Sequence, residues 1–103
     1  MSAEDRFAAL VETLTGSTAA RYETQRRGFG SGTLKVNGRI FALLSSRGQF
    51  VVKLPRRRVD ELVLAGVGER FDPGHGRLQR EWLAAGSEDW EALAREALAY
   101  VGT

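Results

Sequence analysis

The chain has 103 residues, 43% hydrophobic and 27% charged, which bounds it to one ordinary globular domain and excludes a disordered chain. It contains no cysteine, which excludes disulfides, thiolate nucleophiles and Cys-based zinc sites together. Net charge is only +2, but Arg21 to Arg58 holds ten basic residues against one acidic residue, while both flanking segments are acidic.

The N-terminus, Met1 to Arg6, lacks the basic-then-apolar pattern of a signal peptide. No apolar run approaches the ~18 residues that a membrane span needs. The expectation is a soluble, cytoplasmic protein with no membrane partner. A positive segment of this density, if contiguous in space, makes a face for nucleic acid or another anionic partner.

In chain order, Ser2 predicts a cap for a first helix, with Glu4 and Asp5 in the turn where the dipole favours negative charge. Phe7, Leu10, Val11 and Leu14 give that helix one apolar face, and Gly16 suggests its stop. Ser17 to Arg27 is polar without a period and reads as a connector, with a helical turn around Thr18 to Tyr22 as an option. Gly28-Phe29-Gly30-Ser31-Gly32 invites a phosphate-loop reading. Such a loop sits between a strand and a helix, however, and here a strand follows. The glycines read better as a bend or bulge at the start of a sheet.

Three strands come next: Thr33 to Val36, Arg39 to Ser45 and Gln49 to Leu54. Asn37-Gly38 between the first two is a strong hairpin signal, because both central residues of a type I′ turn need positive φ. The middle strand is apolar on both faces, Ile40, Ala42 and Leu44 on one and Phe41 and Leu43 on the other, so it should be central and covered twice. In the third strand Val51 shares a face with Gln49 and Lys53, which predicts partial exposure. Pro55 suits the start of a second helix, to about Ala65, with Val59, Leu62 and Val63 inward. Strands follow at Glu69 to Asp72 and Arg77 to Ala85, the latter with Leu78 and Trp82 on one face. Ser87 predicts the cap of a last helix whose apolar stripe is Trp90, Leu93, Ala94, Ala97, Leu98 and Val101. Trp82 and Trp90 are both read as core. The order is α-βββ-α-ββ-α, an α+β single domain with a five-stranded, mainly antiparallel sheet and packed helices.

Two constellations could carry function. Arg56, Arg57 and Arg58 open the second helix, the end where the dipole disfavours cations by roughly 0.3–1 kcal/mol each. They read either as an anion site, extended by Arg26, Arg27, Lys35 and Arg39 into a nucleic-acid groove, or as a solvated face with Arg56–Asp60 and Arg57–Glu61 pairs. The second constellation is the turn Phe71 to Arg77 with the lone histidine. Asp72, His75, Arg77 and Glu81 could hold a small ligand or form an acid–base group, or the segment is simply a tight turn set by Pro73-Gly74. There is no nucleophile elbow, no P-loop and no carboxylate pair at catalytic spacing. The reading is therefore non-enzymatic, with no catalytic residue, metal or cofactor. An open sheet edge makes a homodimer or protein-interaction module the alternative.

Several segments resemble a known group: Gly32 to Ala42 (Gly-Thr-Leu-Lys-Val-Asn-Gly-Arg-Ile-Phe-Ala), Val52 to Pro55, Val59 to Leu62, Phe71 to Arg77, and Glu81-Trp82. Together they look like the small bacterial proteins grouped with the TfoX N-terminal domain and the MmcQ/YjbR family, across nearly the whole chain. The resemblance implies a fold like that of type III secretion chaperones, a DNA-binding label and, for the TfoX relatives, a tie to competence regulation. It implies no defined site residues.

Overall fold

The computed structural model describes residues 2–23, 32–74, 76, 78–86 and 89–103. Among the described residues three helices and six strands follow in the order α1 (Ala3–Ser17), β1 (Arg21–Glu23), β2 (Gly32–Val36), β3 (Arg39–Leu44), β4 (Phe50–Lys53), α2 (Arg56–Leu64), β5 (Gly68–Phe71), β6 (Gln79–Ala85) and α3 (Trp90–Gly102). The strands form one antiparallel sheet in the order β1-β2-β3-β4-β6-β5. The expected α+β class holds, but the sheet has six strands rather than five. The extra one is β1, in the segment read as a connector. Its three exposed residues carry no periodic signal, and it is defined by pairing: Arg21, Tyr22 and Glu23 lie opposite Lys35, Leu34 and Thr33. Tyr22 also packs near Phe7 of α1, with ring centroids 6.4 Å apart.

Leu34, Ala42, Val52 and Leu83 make one cross-strand row, followed by Leu44, Phe50 and Ala85. All three helices send buried side chains to the cluster on this face: Phe7, Leu10 and Leu14 from α1, Val59 and Leu62 from α2, and Trp90, Leu93, Ala94, Ala97 and Val101 from α3. Trp90 stacks on Phe50 at 4.7 Å between centroids, its indole N–H donates to the Gly86 carbonyl at 2.9 Å, and the Arg6 guanidinium lies 3.9 Å above its ring. A stacked pair of this kind adds about 0.5–1.5 kcal/mol beyond the area it buries.

The Asn37-Gly38 turn forms as expected, with φ of 53° and 77°. Just beyond it the facing of β3 departs from simple alternation. Leu34 lies opposite Ala42 but Lys35 lies opposite Ile40, so Phe41 is an extra residue in the ladder. The bulge sends Phe41 into the core with Ala42 and Leu44 and turns Ile40 to the other face. A one-residue slip of this kind reverses the facing of everything beyond it.

Four other expectations change. Val51 is fully buried, because β4 is an interior strand and Leu43 and Ala84 flank Val51 across the sheet. Trp82 is half-buried rather than core, since Leu83 takes the inward place on β6; Leu78 precedes that strand and is exposed. α1 runs past Gly16 to Ser17, where the Thr18 amide and hydroxyl both donate to the Leu14 carbonyl. α3 is capped by Asp89, whose carboxylate accepts from the Ala92 amide at 3.1 Å, two residues after the expected Ser87.

Candidate anion-binding site

The three arginines at the start of α2 divide into two kinds. Arg58 turns toward α3 and grips Glu96 in a two-point contact, Nε to Oε2 at 2.7 Å and Nη2 to Oε1 at 3.2 Å, with Glu61 at 3.3 Å from Nη1. The hydrogen bond to Glu96 raises the Arg58 pKa above its ordinary value, against an opposing but smaller effect of desolvation. This arginine clamps two helices together. Arg56 and Arg57 are exposed and have no ion pair among the described residues. The anticipated Arg56–Asp60 and Arg57–Glu61 pairs do not form. Asp60 instead meets Arg70 of β5 at 2.6 Å, and Glu61 meets Arg58 one turn behind it. Asp60 thus pairs across to β5, while Glu61 keeps an Arg-first partner within α2, three residues back rather than four.

Asp60 and Arg70 mark a feature that no stretch of sequence displays. Arg56 of α2, Arg70 of β5 and Arg80 of β6 line one concavity of about 480 Å³ with Asp60 and Leu78. Arg80, like Arg56, is exposed and without an ion pair among the described residues. Arg56 and Arg80 are 24 positions apart in the chain. They converge only because β5 and β6 form a hairpin at the sheet edge with α2 packed against both strands.

The remaining candidates disperse. Lys35 is held by Glu23 at 3.0 Å across the β1–β2 ladder. Arg39 lies at another end of the sheet, in a pocket of about 440 Å³ with Ile40, Lys53, Trp82, Tyr100, Val101 and Thr103. There Lys53 is 5.0 Å from the Trp82 ring and 3.9 Å from Glu81. Arg26 and Arg27, and the glycine run from Gly28 to Ser31, lie outside the described residues. Gly32, the last glycine of that run, opens β2 at φ 147°, and a β-carbon there would strike the Tyr22 ring.

Of the turn constellation, His75 and Arg77 lie outside the described residues. Asp72 accepts from the Gly74 amide at 2.8 Å, the usual way an aspartate shapes a turn, and its carbonyl accepts from Arg47 Nη2. Glu81 faces a different neighbourhood and accepts from the Tyr100 hydroxyl at 3.2 Å. Desolvation, and then the Glu81 charge, push the Tyr100 phenol above its ordinary pKa. Among the described residues no group of three or more His, Asp or Glu side chains gathers as a metal site would require, and no helix is long and apolar enough to cross a membrane.

No family model matches the chain, and neither the curated proteins nor the solved structures searched contain a match.

Proposed function

We propose that this is a non-enzymatic bacterial domain of the cytoplasm that binds an anionic partner, DNA, through the arginine-bearing end of α2. The observation that carries this reading is the state of Arg56 and Arg57. Both stand exposed at the helix end where cations are unfavourable, and among the described residues neither is paired with a carboxylate, whereas Arg58 beside them is. Guanidinium groups suit phosphate oxygens because their forked donors match the anion's geometry.

The resemblance to the TfoX N-terminal and MmcQ/YjbR proteins is part of the same proposal, as is a secretion-chaperone-like fold. Its support is the element order, which is the expected α-βββ-α-ββ-α once β1 is set aside. A DNA-binding label in that group agrees with an exposed arginine pair.

Fluorescence anisotropy with random duplex DNA, across a salt series, tests the reading. Binding should weaken linearly on a log–log plot against salt, and the double change Arg56→Glu, Arg57→Glu should abolish it. Affinity that ignores salt, or a folded protein that does not bind at low salt, sinks the proposal.

A second reading rests on β1. It ends the sheet as a three-residue strand with every residue exposed, an edge open to pairing with a second copy of the chain. Light scattering at high concentration tests it, and a monomer there removes it.

A further inference from the structure

We infer that the concavity between α2, β5 and β6 is a discrete phosphate-binding site, with Arg56, Arg70 and Arg80 as its ligands and Asp60 as a built-in competitor. The inference deepens the anion-binding reading above and rests on it, but names a different residue set. Among the described residues, three guanidinium groups and a single carboxylate line this concavity. Asp60 neutralises one of them, Arg70, at 2.6 Å, and leaves Arg56 and Arg80 without a counter-charge among the described residues. Like charges brought together by tertiary structure repel, and the arrangement is relieved when a multivalent anion with several acceptor oxygens enters. A phosphate group has this chemistry. It would sit between Arg56 and Arg80 and draw Arg70 away from Asp60. The Asp60–Arg70 pair then holds the third arginine in place while the site is empty, and weakens binding because the phosphate must displace a carboxylate. Leu78, an exposed apolar side chain on the rim, offers a surface for the organic part that carries the phosphate.

The phosphate could belong to a nucleic-acid backbone or to a small phosphorylated molecule, and the experiment separates the two. Inorganic phosphate is titrated into 15N-labelled protein at constant ionic strength in chloride, and the guanidinium Nε–Hε signals are followed. Saturable shifts are expected at Arg56, Arg70 and Arg80, with much smaller ones at Arg95, which is paired with Glu91 on the exposed side of α3. Asp60→Asn should lower the half-saturating phosphate concentration several-fold. Arg80→Gln, at an exposed position, should raise it at least fivefold.

Shifts that stay linear, that appear equally at Arg95, or that are unchanged in both variants overturn the site. Duplex DNA is the second arm. If phosphate saturates the three arginines but DNA does not bind, the site stands with a small phosphorylated ligand and the DNA reading falls. If DNA binds equally well to Arg80→Gln and phosphate does not saturate, the site falls and the DNA reading stands.

Discussion

The starts of α1 and α3 follow the rules of helix stability, and the start of α2 breaks them. At α1, Ser2 and Asp5 form a reciprocal capping box and Glu4 sits in the first turn. At α3, Asp89 caps the backbone and Glu91 follows. At α2 the cap position is Pro55, with no side-chain hydrogen bond, no acidic residue in the first turn, and three arginines in a row. The difference teaches where each helix gets its stability. α1 and α3 are supported locally as well as by packing. α2 depends on what it buries, Val59 and Leu62, and on the Arg58–Glu96 clamp. Arg56 and Arg57 contribute to neither.

The sharpest way to break that comparison is to remove what α2 buries. Leu62→Ala should cost about 2–5 kcal/mol, read as a shift in the denaturant midpoint. A loss well below that range would mean the helix does not rely on its buried side chains. Charge reversal at the other end sharpens the contrast. Arg56→Glu with Arg57→Glu should leave the protein as stable or more so, by roughly 0.3–1 kcal/mol per residue, because the dipole now favours both side chains. The same variant should lose anion binding. A fall in melting temperature would show that these arginines support the fold after all. At α3, Asp89→Ala removes a cap that α2 never had, and should cost about 0.5–2 kcal/mol by thermal or denaturant unfolding.

The smallest effect belongs to Tyr100. Its folded-state pKa is raised, so the neutral phenol is the form the fold favours. That contribution is fully present below the unfolded tyrosine pKa, about 10, and is lost as pH rises through the higher folded value. Stability should therefore fall more steeply above pH 10 in the wild type than in Tyr100→Phe. Equal slopes would mean that neither desolvation nor the Glu81 charge perturbs the phenol.

Much of the fold was legible in the chain. The stripes on α1 and α3 matched the buried residues closely, since a 3.6-residue period maps directly onto one helix face. The Asn37-Gly38 turn was readable because its φ values are a local demand. β1 was not readable, because its three residues hold their place by pairing with β2 and by the packing of Tyr22 near Phe7. Trp82 and Val51 were misjudged for a related reason: alternation assigns two faces to a strand but does not say how far each is covered by its neighbours. The candidate site was half legible. The run Arg56 to Arg58 could be seen, but not its division into one clamp and two side chains without an ion pair among the described residues, which depends on Glu96, 38 positions away from Arg58.

Local sequence specifies the α+β class, the positions of the helices, the first hairpin and the concentration of positive charge up to Arg58. Each of these is written in local terms: periodicity, caps, turn residues and composition. The strand order, the bulge that turns Phe41 inward, and the meeting of Arg56, Arg70 and Arg80 around one concavity arise from long-range contacts. Register and side-chain convergence are set by contacts between residues far apart in the chain, and no window of local sequence contains both partners.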